Sequence, residues 1–426
     1  MRMVEWVRLT ETERREALAR PARRNDPEVV ATVARILAEV EAEGARAVDR
    51  WSLRFDRAPM RFVELDAGTV DDARARVTRE DLAALDMAVE NIALYHEATR
   101  PKDIDVELSE GVRCRRLWRA IETCGLYVPG GSAPLFSSLA MLAEPARVAG
   151  VRNRVAATPP DREGNAHPMM IATAALCGLG GLYLVGGAQA IAALAFGAGV
   201  PRADKIFGPG NAYVAEAKRQ IAARGLAAID LPAGPSELMV IADDGAEPAI
   251  VAADLLSQAE HDADAQVVLV ATSAGSIERI ADALRIQLAT LPRASIARDA
   301  LAGSAAIIVV GLDEASTVAN AYAPEHLALH TEKPEALLDR IENAGAVFVG
   351  RASAEAFGDY SCGPSHVLPT EGSARMWSGV TTASFMKSIS VQQMNDDGAR
   401  RLAPATARLA RAEGLEAHAR AAEKRA

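Results

Sequence analysis

The chain has 426 residues, and its 47 Lys and Arg against 57 Asp and Glu give a formal net charge of −10. The basic residues are scattered through this acidic chain and form no stripe, which argues against a nucleic-acid partner. No run of about 18 apolar residues is present, which argues against a membrane span. Half of the residues are hydrophobic but only 4% are aromatic, a balance that favours α/β layers built from small aliphatic side chains.

The N-terminal part is charged and mostly helical by pattern. Residues 1–25 lack the apolar segment of a signal peptide, and we expect them to form a helical extension. Asp26-Pro27-Glu28 has the N-cap, the first-turn proline and the acid of a helix start. A second helix is expected over residues 82–98. The four cysteines show no CxxC spacing and are typical of reduced thiols, so we expect a cytoplasmic protein.

From about residue 121, short apolar runs alternate with Ala-rich helical runs. This alternation predicts strands joined by crossover helices, and therefore parallel sheets. One series runs to about residue 224 and a second from 237 to 349. The sequence thus predicts an α/β fold with two doubly wound, Rossmann-like parallel-sheet domains and helical N-terminal and C-terminal extensions. Ligand sites are expected at the carboxyl ends of the strands.

The C-terminal part divides into a loop and a tail. Residues 351–383 are rich in glycine and serine and are predicted to be irregular, and a loop of this length in a compact domain is usually functional. Residues 396–425 are charged and Ala-rich, so they predict a helical tail.

Four polar residues form a candidate metal site. Gln258 and His261 lie three residues apart near the end of a predicted helix, so their side chains are expected on one face. Asp359 and His418 can add a carboxylate and a second imidazole, and such ligands suit Zn²⁺, Mn²⁺ or Co²⁺. Other roles stay open on the residues alone, because Gln258 and His261 can cap their helix, Asp359 can close an Asx-turn and His418 can be simply exposed.

Glu325 and His326 form a second candidate group, in the segment Tyr-Ala-Pro-Glu-His-Leu. They lie between a helical run and a strand-like run, so a turn can direct both into one cleft. Histidine titrates near neutral pH and suits a general base, and the neighbouring carboxylate can activate a water. The alternative is a solvated glutamate beside a histidine at a helix end.

Glycine turns form a third group. Three of the four follow apolar runs and precede helices, where backbone N–H groups and helix dipoles favour anions such as a pyrophosphate. There is no GxGxxG motif, and each turn alone is more often only a strand-to-helix connection. The turns are Gly130-Gly131, Gly186-Gly187, Gly208-Pro209-Gly210 and Gly234-Pro235.

Cys362 is a further candidate, because a thiol beside Asp359 can capture an aldehyde. A cysteine in such a loop is more often a small spacer.

Eight sequence blocks, in order, resemble the histidinol dehydrogenase family. The resemblance runs from about Glu28 to the C-terminus. The blocks are GLYVPGGSAPLFSS, VGGAQAIAALAFG, DKIFGPGNAYVAEAKRQ, IDLPAGPSE, ADLLSQAEHD, YAPEHL, GDYSCGPSHVLPT and EGLEAH.

The resemblance implies a function. The family oxidises L-histidinol to L-histidine through histidinaldehyde with two NAD, in the last two steps of histidine biosynthesis. It implies one zinc per subunit, which positions the substrate, and a homodimer whose C-terminal segment reaches the partner's site. The metal ligands are then Gln258, His261, Asp359 and His418; the catalytic pair is Glu325 and His326; the NAD contacts are Tyr127, Gln189 and Asn211; and the substrate contacts are Ser236, Gln258, His261, His326, Asp359, His366, Glu413 and His418.

The expected domain division follows from this assignment. A first Rossmann-like domain of residues 26–128 and 236–375 would carry the metal and Glu-His motifs. A second, of residues 129–235, would contact NAD, and residues 376–426 would extend to the partner. The segment Cys362 to His366 departs from the loop more often seen in the family. Alternatives are a relative that oxidises another small alcohol, and a catalytically inactive metabolite-binding protein.

Overall fold

Three sheets organise the chain in the computed structural model, which describes residues 1–20, 26–130, 134–232 and 234–426. In chain order the strands are β1 (Arg2–Glu5), β2 (Arg61–Glu64), β3 (Ile104–Ser109), β4 (Val112–Ala120), β5 (Thr123–Tyr127), β6 (Asn153–Thr158), β7 (Gly181–Leu184), β8 (Lys205–Phe207), β9 (Ala228–Ile229), β10 (Glu237–Ala242), β11 (Gln266–Ala271), β12 (Ala305–Ile308), β13 (His326–His330), β14 (Ala346–Val349) and β15 (Met386–Met394).

The helices connect and cover these strands. They are α1 (Glu11–Ala17), α2 (Pro27–Glu43), α3 (Ala45–Phe55), α4 (Ala67–Ala75), α5 (Arg79–Ala98), α6 (Phe136–Ala149), α7 (Pro168–Leu176), α8 (Gly187–Phe196), α9 (Ala212–Ala223), α10 (Pro248–Ala259), α11 (Ala274–Leu288), α12 (Ala294–Ala302), α13 (Leu312–Tyr322), α14 (Pro334–Leu338), α15 (Glu355–Tyr360), α16 (Asp396–Ala412) and α17 (Glu416–Glu423), with short 3₁₀ turns at Trp6–Arg8, Ser373–Arg375 and Thr382–Phe385.

The first sheet is fully parallel and has the order β1-β12-β11-β10-β13-β14. Its strand β10 is apolar from Leu238 to Ala242 because both of its faces are buried. Leu238 and Val240 join one core cluster, whereas Met239 and Ile241 join the cluster on the opposite face. Helices therefore cover both sides, as a doubly wound sheet requires.

The second sheet has the order β2-β7-β6-β5-β8-β9, and β2 at its edge is antiparallel to β7. Core clusters again lie on both faces. The predicted α/β fold with two Rossmann-like parallel-sheet units is confirmed. A third, antiparallel sheet of β15-β4-β3 was not predicted.

The packing corrects the expected domain division. Strand β1, which falls within the expected extension of residues 1–25, is the edge strand of the first sheet because it pairs with β12. Helix α2 presents an apolar stripe that joins the core of the second sheet, and β5 is a central strand of that sheet. Most of residues 26–128 therefore pack with the second sheet, not with the first.

Two further features bear on the predictions. The tail contains a long strand, β15, before its helices, and Gly414 with a φ of +78° separates α16 from α17. No helix of the described ranges is long and apolar enough to cross a membrane.

Candidate active site

Glu325 and His326 lie at the amino edge of the first sheet, where α13 turns into β13. Strand β10 begins beside them, since Leu238 is in register with His326. The expectation that this site lies at the carboxyl ends of the strands is therefore wrong for the first sheet. Helices that lead into these strands, such as α10 and α13, end at this edge, so their partial negative charge favours a cation there.

Both side chains of this pair are buried, with relative exposures of 6% for Glu325 and 5% for His326. The backbone N–H of Glu237 donates to Glu325 Oε2 at 2.8 Å, and His326 Nδ1 lies 3.1 Å from the Glu237 carbonyl oxygen. A carbonyl only accepts, so Nδ1 carries the proton and Nε2 is left as an acceptor. The alternative of a solvated glutamate beside a helix-end histidine is wrong.

Burial also sets the charge of the pair. It lowers the pKa of His326 to about 4, so the imidazole is neutral at pH 7 and can accept a proton. It raises the pKa of Glu325 well above its usual value. A cation bound nearby favours the ionised carboxylate.

Gln258 is a buried polar side chain at the end of α10. Neither its amide oxygen nor its amide nitrogen has a hydrogen-bond partner among the described residues, so it does not cap its helix. Unsatisfied buried amides are rare and costly in native proteins. Its amide oxygen is chemically suited to bind a cation.

His261 lies just beyond the end of α10, in the turn that follows the helix. The helix ends at Ala259, and His261 continues it only through an N–H bond to the Gln258 carbonyl at 3.2 Å. The imidazole is half-exposed, and its Nε2 lies 4.0 Å from Asp359 Oδ2. These two groups are close enough to share an ion.

Asp359 belongs to the short helix α15 and does not close an Asx-turn. Its backbone carbonyl accepts a hydrogen bond from His366 Nδ1 at 2.8 Å. His366 Nε2 therefore accepts from the hydroxyl of Ser138, at 3.0 Å. Ser138 lies in α6, which packs on the second sheet, so this histidine joins the two units.

Glu355 was not predicted from the sequence. It is 1% exposed, both of its oxygens lack hydrogen-bond partners in the described part of the chain, and burial raises its pKa well above the usual value. His326, Glu355 and Asp359 bring ligand atoms within 4.8 Å of one another. This trio shares only Asp359 with the predicted ligands, and Asp359 and Glu355 both belong to α15.

The remaining predicted residues lie at the edge of this cluster or away from it. Ser236 precedes β10, and its carbonyl accepts from Gln266 N–H. Glu413 and His418 are exposed on the α16–α17 pair. Within the described residues, no hydrogen bond or ion pair joins either side chain to the cluster around Asp359. Among the described residues, the cluster of metal-ligating side chains that contains Asp359 does not include His418.

Tyr127, Gln189 and Asn211 lie at the carboxyl edge of the second sheet, as expected. Tyr127 ends β5, Gln189 lies in the first turn of α8, and Asn211 caps α9 by accepting from Tyr213 N–H and Val214 N–H. Helix N-termini face this edge, and they favour anions.

The glycine turns at this edge donate backbone hydrogen bonds to side chains of the protein itself. Gly186 N–H donates to Asp56 Oδ2 at 2.9 Å, and Gly187 N–H donates to the Tyr127 hydroxyl at 3.0 Å. Asp56 also accepts from Gln189 Nε2 at 3.1 Å. Both amides therefore already have acceptors within the protein.

The Gly208 turn is built in the same way. Its N–H donates to Asp230 and its carbonyl accepts from Lys218, and these two buried side chains also form an ion pair. Gly208 has a φ of +123°, and a Cβ there would lie 1.9 Å from the Tyr127 carbonyl oxygen. The Gly234 turn precedes a strand and not a helix, and Gly131 lies outside the described residues.

Comparison with known proteins identifies the family. The family model for histidinol dehydrogenase matches residues 18–426. The chain is 47% identical to histidinol dehydrogenase of Xanthomonas euvesicatoria pv. vesicatoria, over 99% of this chain and 98% of that one. The chain belongs to the histidinol dehydrogenase family.

Further relatives agree with this assignment. The Vibrio vulnificus (strain YJ016) histidinol dehydrogenase is 46% identical over 99% of this chain and 97% of its own length. The crystal structure of the Elizabethkingia anophelis histidinol dehydrogenase matches with a TM-score of 0.95 at 41% identity, covering 100% of this chain and 98% of that chain. The likeness therefore extends over both sheets and the tail.

Proposed function

We propose that the chain oxidises L-histidinol to L-histidine through histidinaldehyde, with NAD as hydride acceptor, in the last two steps of histidine biosynthesis. Membership of the histidinol dehydrogenase family supports the substrate and the reaction. The observation that carries the proposal is the buried pair Glu325 and His326. Its imidazole is neutral, and its Nε2 is the free acceptor.

The proton transfers fall to this pair. His326 Nε2 takes the hydroxyl proton of the alcohol as the carbon loses its hydride, and NAD supplies the acceptor for that hydride. The imidazolium then returns its proton to the aldehyde oxygen as water adds to the carbonyl carbon, and Glu325 takes a proton from that water, which gives the neutral hydrate. His326 then accepts the hydroxyl proton of the hydrate as the second hydride leaves. Two NAD and one water are consumed for each carboxylate formed.

A zinc ion fits the cluster beside α15. Gln258, His261 and Asp359 would hold it, together with His418 of a second copy of the chain, since His418 is exposed on α17. The unpaired amide of Gln258 and the helix ends at this edge support a cation. When bound, the zinc supplies a positive charge and a template for the substrate's imidazole and amine.

The substrate contacts proposed are Ser236, Gln258, His261, His326, Asp359, His366, Glu413 and His418. The first six lie on segments at or next to the amino edge of the first sheet. Glu413 and His418 lie on the exposed tail and would come from the partner of a homodimer. Tyr127, Gln189 and Asn211 would contact NAD. The four free thiols support a cytoplasmic location.

The test is NADH formation with three alcohols. L-Histidinol carries both an imidazole and an amine, L-alaninol lacks the imidazole, and 3-(imidazol-4-yl)propan-1-ol lacks only the amine. We expect a high rate only with L-histidinol, and two NADH for each histidine formed. A high rate with another alcohol and none with L-histidinol would favour the alternative of a relative with a different substrate.

A further inference from the structure

One residue, Glu237, contacts both members of the proposed catalytic pair through its backbone. Its N–H donates to Glu325 Oε2 at 2.8 Å, and its carbonyl accepts from His326 Nδ1 at 3.1 Å. The second contact sets the tautomer of His326 and leaves Nε2 as the acceptor. A shift of Glu237 would therefore disturb both side chains at once.

The side chain of Glu237 is itself fixed from the N-terminal segment. Its carboxylate is buried and forms two hydrogen bonds with Arg20, from Nε at 2.5 Å and from Nη2 at 2.8 Å. It also accepts from the Glu371 N–H at 2.8 Å. Such a two-point arginine–carboxylate pair fixes orientation as well as charge.

Arg20 also contacts Tyr322, in the segment that leads into Glu325. Its Nη2 donates to the Tyr322 carbonyl at 2.9 Å, and its guanidinium lies 3.9 Å from the centre of the Tyr322 ring. Tyr322 ends α13, and Ala323 follows it with a φ of +53°, a strained value for a residue with a side chain. The guanidinium therefore contacts both segments that meet at Glu325.

We propose that Arg20 is a positioning residue for Glu325 and His326 that acts through Glu237 and the Tyr322 turn. The proposal rests on the proposed function, because it assumes that these two side chains carry the proton transfers. Without Arg20, the Glu237 carboxylate is buried without its cation, a state that proteins relieve by protonation or movement. Either response alters the backbone that sets the His326 tautomer.

The experiment compares Arg20→Met with Arg14→Met. Arg14 lies in the same N-terminal segment and also covers an aromatic ring, that of Trp6, but it does not contact Glu237. We expect Arg20→Met to lower kcat about 10- to 100-fold, with the KM values and the zinc content within about twofold, and Arg14→Met to leave kcat within about twofold. Arg20→Lys, which keeps the charge, should recover part of the loss. An unchanged kcat in Arg20→Met overturns the proposal.

A double variant tests the route through Glu237. In a Glu237→Gln background the buried charge is already gone, so adding Arg20→Met should cost much less than it does alone. If the two substitutions lower kcat independently, so that their effects multiply, Arg20 does not act through Glu237. The same conclusion follows if thermal unfolding shows that the lost activity comes only from a smaller fraction of folded protein.

NMR of protein labelled with ¹⁵N-histidine separates this proposal from the proposed function. In the wild type, His326 should give the Nδ1–H tautomer, identified by its absence in His326→Asn, and Arg20→Met should change that signal while Arg14→Met does not. This result is expected even if L-histidinol proves not to be the substrate. An unchanged His326 signal in Arg20→Met contradicts the positioning role whatever the substrate.

Discussion

The two parallel sheets present opposite edges to the ligands proposed for them. At the amino edge of the first sheet, helices end, carboxylates gather, and Gln258 and Glu355 are buried without hydrogen-bond partners in the described chain. At the carboxyl edge of the second, helices begin, and the polar groups of the turns bond to Asp56, Asp230 and Lys218. The first edge favours a cation, whereas at the second edge the polar groups of the turns already have partners and the helix N-termini favour an anion.

The largest effect is expected at the first edge. His326→Asn removes the proton acceptor and should lower kcat by about 10²- to 10⁴-fold, with zinc content unchanged. Steady-state NADH formation and metal analysis check it. His330→Asn is the matched control, because His330 lies in the same strand, buried and paired with Asp254. It should lower thermal stability and leave kcat nearly intact; equal losses of kcat in the two variants would contradict the assignment of His326.

Lys218→Met tests whether the second edge depends on the buried ion pair that supports its Gly208 turn. It leaves the buried carboxylate of Asp230 without its cation, so the free energy of unfolding should fall by about 3 to 5 kcal/mol. Denaturant unfolding measures it. Adding Asp230→Asn should recover much of the loss, and the zinc content of the folded fraction should not change. A stable Lys218→Met variant would mean that the turn does not depend on this pair.

Gln258→Leu should weaken zinc binding but stabilise the fold of the metal-free protein. It removes a proposed ligand, so zinc affinity should fall by at least the roughly 10- to 100-fold that loss of a mere outer-shell partner costs. It also removes two unsatisfied buried polar atoms, so the metal-free protein should gain about 1 kcal/mol in stability. Gln266→Leu is the matched control. Gln266 accepts a hydrogen bond from the Tyr322 hydroxyl at 2.6 Å, so its loss should destabilise the protein. Loss of metal-free stability in Gln258→Leu would contradict an amide held for a ligand.

The smallest effect is expected at Cys362. This thiol is exposed, in the loop that follows α15. Because the proposed mechanism assigns no step to the thiol, Cys362→Ser should keep kcat within about twofold. The same NADH assay checks it, and a loss above tenfold would revive the thiol as a nucleophile.

Sequence patterns predicted the central elements well and the outer elements poorly. Strands such as β10 and β11 are buried on both faces, so their apolar runs are unmistakable. Strand β1 pairs with residues some 300 positions away and is half-exposed, so no local pattern marks it. The antiparallel sheet of β3, β4 and β15 was missed for the same reason, because β15 pairs with β4, a strand far away in the sequence.

Site residues that residue type and spacing mark were predicted from the sequence. Site residues whose role depends on burial were not. Glu325 and His326 were found as an adjacent acid and base. Glu237, Glu355 and Asp56 were missed because a carboxylate in an acidic chain looks like any solvated one until its burial is known. The amino-edge location was missed because the general rule for parallel sheets follows the loops after strands, whereas this site uses the turns that precede them.

The hydrogen bond from Ser138 to His366 has a consequence for motion. One ring nitrogen of His366 is tied to the helix of Asp359 and the other to a helix of the second sheet. If the two halves of the molecule hinge apart, that imidazole loses one of its two tethers and is free to reorient. The orientation of His366 towards the proposed substrate pocket therefore depends on the helices of Asp359 and Ser138 staying in place together.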